Sequence, residues 1–276
     1  MLALKLGLVA LSVLLASLAA RRWGHGVAGT LSGFPVIAAP ITLFVLWQQH
    51  EVRTREIALA TLVCLPATVV HLMTFAAVIR AGGRWAVALV AANGAFLATG
   101  GLLVATAWPA AATLALAAGS LVAGAVVLRG MVRQALAARG PLEPPAGSAR
   151  TPAVPRVELG LRIAAAVAVA AAVMMAAESL PAWASGLLLA VPITGNVLPC
   201  FTAPRYGPVA VLALLAGFVQ GLFGFATFFV VLYVALARVP AGVSALLALA
   251  AAVVAARVSY RYWSRPAGRP PAVRAP

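Results

Sequence analysis

The chain has 276 residues, of which 64% are hydrophobic and only 9% charged, and its mean hydropathy of +1.05 excludes an ordinary water-soluble globular domain, whose surface carries far more charge. The formal net charge of +15 does not mark a nucleic-acid binder, because the arginines are scattered between apolar runs rather than stacked on one helix face or interleaved with aromatics. Cys64 and Cys200 both lie inside apolar runs, which excludes a disulfide framework and a paired-cysteine metal motif.

Crossing about 30 Å of hydrocarbon at 1.5 Å rise per residue takes roughly 20 residues, and lipid admits only helices or closed barrels. The apolar runs have helical length, so the expected fold class is all-α, a polytopic transmembrane helix bundle of about nine spans. In chain order the spans fall near residues 2–20, 27–47, 57–79, 85–107, 109–128, 159–178, 182–202, 208–237 and 239–258. The first run, with its Lys5 and small residues near the end, is similar to a signal peptide. The distribution of positive charge argues that it is retained. With residues 129–158 and the C-terminus placed in the cytoplasm, 16 of the 20 basic residues lie inside, and only Lys5, Arg53, Arg55 and Arg238 fall outside. That asymmetry satisfies the positive-inside rule; a cleaved first span would move Arg21, Arg22, Arg80, Arg84 and the basic linker outside. The expectation is a multi-pass protein of a bacterial inner membrane, N-terminus outside and C-terminus cytoplasmic.

Residues 129–158 are rich in Pro, Arg and Ala and hold no apolar run. They read as a cytoplasmic linker between an N-terminal membrane half, 1–128, with five spans, and a C-terminal half, 159–258, with four. The tail 259–276 is basic and Pro-rich and is expected to be disordered.

An internal repeat is visible. The segment AGTLSGFPVIAAPITLF from Ala28 aligns without a gap on SGLLLAVPITGNVLPCF from Ser185, matching Gly29 with Gly186, Leu31 with Leu188, Pro35 with Pro192 and Phe44 with Phe201. Chance similarity between apolar segments is the competing explanation. Span two runs outward and span seven inward, so the two copies are antiparallel, and inverted repeats with Gly- and Pro-broken helices are a signature of secondary transporters with a midplane site. Pro35, Pro40, Pro192 and Pro199 each remove an amide donor and free a carbonyl one turn earlier. Simple kinks satisfied by neighbouring helices are the structural alternative for any one of them.

Few groups offer chemistry. There is no Asp, and Glu51, Glu56, Glu143, Glu158 and Glu178 sit in loops or near span ends, so diacid, metal-dependent and serine-type intramembrane enzymes lack their functional groups. No enzymatic activity, metal or cofactor is expected. His71 lies midway along span three, where it can relay protons or contact a substrate, or else rest neutral against a backbone carbonyl. Asn93, Asn196 and Gln220 carry amides that need partners in lipid and can either bind a substrate or bridge helices. Asn196 is the leading candidate, because Thr194, Gly195 and Asn196 fall between Pro192 and Pro199, where a broken helix presents carbonyls beside the amide. Thr42 occupies the corresponding span of the first half. The mixed charges Glu51, Arg53, Arg55 and Glu56 read as a solvated outer loop, and His25 and His50 as interfacial. Cys64 in VCLP and Cys200 in LPCF also admit a membrane thiol-electron carrier of the CcdA kind, provided that the two sulfurs meet.

Each half resembles the small four-span GlpM-like membrane proteins, in which an apolar span leads to a Pro-containing span of the type read here as AGTLSGFP and SGLLLAVP. A charged turn and a long aromatic-containing span follow, similar to QQHEVRTRE with TFAAVI and to APRYGP with FGFATFFVVLY. The resemblance covers roughly residues 1–107 and 159–258 and implies a fold more than an activity; the fifth span and the linker depart from it, and would serve to invert the second copy. A fused antiparallel pair is also similar to the architecture of the drug/metabolite transporter superfamily, although no signature motif of that group is present. The function expected is a transporter-like protein for a small neutral, amphipathic or anionic solute, with a midplane cavity between spans two, three, seven and eight. A non-catalytic accessory or scaffold protein is the alternative. The expected partners are the lipid bilayer and a small-molecule substrate, not nucleic acid, with no oligomeric state implied.

Overall fold

The computed structural model describes residues 2–48, 51–138, 156–178 and 190–263, and every regular element among them is an α-helix. The chain forms α1 (Leu2–Trp23), α2 (His25–Gly33), α3 (Ala38–Gln48), α4 (Glu51–Arg80), α5 (Trp85–Ala105), α6 (Ala110–Ala137) and α7 (Arg156–Glu178). Helical conformation then runs from Ile193 to Ala235, and α10 (Ala241–Trp263) ends the described chain. Seven of the helical stretches are long and apolar enough to cross a membrane.

The stretch Ile193–Ala235 is not one rod. Gly207 has φ 75 and ψ −178, a conformation favoured by the absence of a side chain. A Cβ placed on Gly195 would lie 3.4 Å from the Phe218 ring, although 23 residues of straight helix would part them by roughly 34 Å. The two limbs therefore fold back on each other at Gly207, and we label them α8 (193–206) and α9 (208–235). Of the expected seventh span, residues 182–189 lie outside the described residues, as do Glu143, His50 and the repeat positions Gly186 and Leu188.

Span two is interrupted. Phe34 is extended, with φ −73 and ψ 150, because the ring of the following Pro35 disfavours helical geometry in the residue before it. The helix resumes at Ala38, and Pro40 falls in the first turn of α3, where its missing amide has no intrahelical role. The second half differs from expectation. Pro192 is the N-cap of α8, the Asn196 amide closes the first turn on the Pro192 carbonyl at 2.8 Å, and Pro199 sits inside a continuing helix. The interruption therefore lies before Ile193, not between Pro192 and Pro199. The linker also begins later than its composition suggested: residues 129–137, MVRQALA among them, continue α6, as their strong helix formers favour.

α4 and α9 are the central helices, with 15 and 16 buried residues, whereas α10 has five. Leu62, Leu65, Leu72 and Phe75 of α4 pack with Leu121 and Leu128 of α6 and with Leu212, Leu215, Phe228 and Phe229 of α9. α1 and α7 form a second cluster through Val9, Val13, Ala166 and Ala170. The tightest seam joins α2 to α9. A Cβ on Gly29 or Gly33 would overlap the carbonyls of Leu214 and Phe218, and one on Gly217 or Gly221 would overlap those of Gly26 and Thr30. Two GxxxG pairs thus face each other backbone to backbone, the packing that small residues permit when lipid supplies no hydrophobic drive between helices.

One end of the bundle is basic. Arg80 donates to the Gln134 side chain at 2.6 Å, Arg129 lies 5.8 Å from the Trp263 ring, and Glu158 accepts from both Arg162 and Arg205. At the other end Arg55, expected in a solvated loop, instead stands in the second turn of α4, donates from Nε to the Tyr233 carbonyl at 3.1 Å and stacks on the Tyr233 ring at 4.9 Å.

Candidate functional site at the helix interruptions

The His25 and Tyr206 rings meet at 4.7 Å, which sets the start of α2 and the end of α8 at the same level. From there α2 rises roughly 12 Å to Gly33 and α8 roughly 20 Å to Ile193, both short of a 30 Å apolar layer. The two interruptions therefore lie inside that layer, and they touch: the Thr194 hydroxyl donates to the Ser32 carbonyl at 3.3 Å. The segment before Ile193 is held from the other side, where the Thr68 hydroxyl of α4 donates to the Ala190 carbonyl at 2.9 Å.

Three polar side chains converge on the start of α8. Asn93 of α5 donates from Nδ2 to Asn196 Oδ1 and to the Leu89 carbonyl, both at 2.8 Å. The Cys200 thiol donates to the Asn196 carbonyl at 3.0 Å. His71 of α4 is fully buried, its ring faces the backbone of Ala92 and Gly195 and meets Phe96 edge-on at 6.4 Å, yet neither ring nitrogen completes a hydrogen bond. Pro199 bears on this directly. It has no amide to offer the Gly195 carbonyl one turn earlier, so that carbonyl is left for a donor outside the helix. The Asn196 side-chain nitrogen, Nδ2, makes no hydrogen bond among the described residues, while its Oδ1 accepts from Asn93. The cluster contains donors, a helix N-terminus with its positive dipole end, and no carboxylate among the described residues.

Compared with protein-family models, with curated proteins and with solved structures, the chain matches none.

Asn93, His71, Thr194, Gly195 and Asn196 are thus gathered in one place beside Ser32 and Thr68, which sequence reasoning did not single out. Gln220 and Thr42 are elsewhere. Gln220 lines a hollow between α6, α9 and α10, because α9 turns Gly217 and Gly221 toward α2 and Gln220 away from it. Thr42 is buried on α3, beyond the interruption, where α3 packs on α4 and α10. The thiols do not share a level. Cys64 stands 16 residues before Arg80 and Cys200 six before Tyr206, a depth difference of roughly 15 Å, whereas a disulfide needs Cα atoms within about 7 Å.

A second cluster also went unnoticed in the sequence. Arg162 of α7 is only 2% exposed, pairs with Glu158 at 2.5 Å, lies over the Phe201 ring at 5.7 Å, and keeps a buried Nε without a partner. Glu158 and Arg162 are four apart, the spacing of a helical ion pair. That spacing was legible; the approach of Arg205 and Phe201 from α8 was not.

Proposed function

We propose that this protein is a transporter-like integral membrane protein, a permease or exporter of a small neutral, amphipathic or anionic solute, with its site where the interruption after α2 meets the start of α8. His71 carries the reading. A polar side chain deep in an apolar layer needs a partner, and this fully buried ring has only the backbone of Ala92 and of Gly195, released by Pro199, to turn to, without reaching good hydrogen-bond geometry on either nitrogen. Half-helix N-termini in broken transmembrane helices face the anionic groups of substrates in secondary transporters, and the donor-rich, acid-free surroundings disfavour a strongly cationic solute. In this reading the basic end faces the cytoplasm of a bacterial inner membrane and the N-terminus lies outside. The two halves form an inverted pair, each similar to the GlpM-like proteins.

The test is accessibility. In a Cys64→Ser, Cys200→Ser background, Ser32→Cys and Thr194→Cys are placed singly and the protein is reconstituted in liposomes. A membrane-impermeant methanethiosulfonate reagent applied from each face should modify at least one of them, and Asn196→Ala or His71→Ala should alter the rate. Two positions inert from both faces would leave a sealed bundle, which is the accessory or scaffold reading.

A further inference from the structure

A second polar feature lies in the apolar layer, away from the helix interruptions. Between the basic ends of α6, α9 and α10 the surface forms a half-open hollow of about 150 Å³, walled by Val132, Ala213 and Ala216 with Arg129, Gln220 and Trp263. α6 and α10 both pack on α9, and the hollow is the gap left between them. Measured from the opposite ends of α6 and α9, Arg129 lies roughly 28 Å down its helix and Gln220 roughly 22 Å, so the amide sits about 6 Å further into the apolar layer. The Gln220 side chain makes no hydrogen bond among the described residues, an unfavourable state for an amide at that depth unless something supplies an acceptor.

The charge around the hollow is of one sign. The basic ends of α4, α6 and α10 and the N-cap of α5 carry Arg80, Arg84, Arg129, Arg133, Arg257 and Arg261. Among the described residues the only acidic side chain at this end is Glu158, and it is engaged by Arg162 and Arg205. The wall is apolar, the mouth is cationic and aromatic, and the floor offers an amide donor. Below Arg129, three and seven residues back on the same face of α6, Val126 and Val122 are 55% and 49% exposed, an apolar track running from the mouth into the layer.

We propose that this hollow binds an anionic phospholipid. The phosphodiester meets Arg129 at the level where Trp263 marks the interface, a glycerol ester carbonyl accepts from Gln220, and an acyl chain follows Val126 and Val122. Basic pockets between transmembrane helices hold such headgroups. Residues 264–276 carry Arg265, Arg269 and Arg274 and no acidic side chain, so charge complementarity favours an anionic lipid over them at this mouth.

Full-length protein in detergent is titrated with phosphatidylglycerol or with phosphatidylcholine and the retained lipid is counted by native mass spectrometry. Wild type should retain phosphatidylglycerol in preference to phosphatidylcholine, and Arg129→Gln should weaken the first bound phosphatidylglycerol roughly fivefold, the weight of one basic residue at an anionic headgroup. Ala216→Phe, which keeps every charge but fills the hollow, should weaken it as well and decides the matter if Arg129→Gln does not fold. Removal of 264–276 should leave the affinity unchanged. Phosphatidylglycerol binding unaltered in both substituted proteins, equal retention of the two lipids, displacement by inorganic phosphate alone, or tighter binding after tail removal would each overturn the proposal. None of these readouts depends on whether the protein transports.

Discussion

Alanine at Gly217 or Gly221 tests the tightest contact in the bundle. In an unconstrained helix Ala is favoured over Gly by about 1 kcal/mol, so a neutral environment predicts a gain. Here the added Cβ meets the Gly26 or Thr30 carbonyl at less than contact distance. A backbone oxygen cannot swing aside as a flexible side chain does, so α2 and α9 must separate, and overpacking of this sort costs about 1–3 kcal/mol. The net expectation is a loss of about 0–2 kcal/mol for each substitution once the gain in helix propensity is subtracted, and of about 1–3 kcal/mol relative to an alanine that meets nothing. The matched control is Gly119→Ala on α6, where a Cβ meets nothing within 4 Å and stability should hold or rise. Titration of the micelle-bound protein with a denaturing detergent, followed by far-UV circular dichroism, reads all three on one scale. Gly217→Ala and Gly221→Ala as stable as the control would mean that the two helices do not meet backbone to backbone, and the seam would have to be abandoned.

Three further outcomes follow from the polar contacts. A double-mutant cycle on Asn93→Ala and Asn196→Ala should return a coupling of about 0.6 kcal/mol, with an upper bound of roughly 1.7, the range of interhelical hydrogen bonds in lipid; zero coupling would separate the two amides. Glu158→Gln should cost about 3 kcal/mol in the same unfolding assay, because it strands the buried Arg162 guanidinium, whereas Glu158→Leu with Arg162→Met should recover most of the loss. Oxidative cross-linking should yield no disulfide between Cys64 and Cys200 within a chain, checked by intact mass before and after reduction, and a shift of two mass units would contradict their separate levels.

Helix existence was legible because it is a local property. In an apolar solvent each segment must pair its own amides and carbonyls, so a run of sufficient length declares a helix without reference to any neighbour. The interruption at Pro35 was legible for the same reason, since proline acts on the residue before it. Pro199 shows the limit of that logic. It was read as one edge of a broken segment, but the helix continued through it, and its consequence is a released Gly195 carbonyl whose neighbour, His71, comes from another helix.

Residue order is enough to specify a bundle of apolar helices, a Pro-dependent break in the second of them, and a gathering of charge toward one end. Which polar groups meet is a matter of how the helices pack. Asn93 and Asn196 are 103 residues apart and Ser32 and Thr194 are 162 apart, and nothing in periodicity specifies such pairs. The GxxxG pairs at Gly29 and Gly217 were written in the chain, yet a small residue states only that there is room for a close approach; the partner is chosen by shape, when two helices find a register in which both backbones can touch.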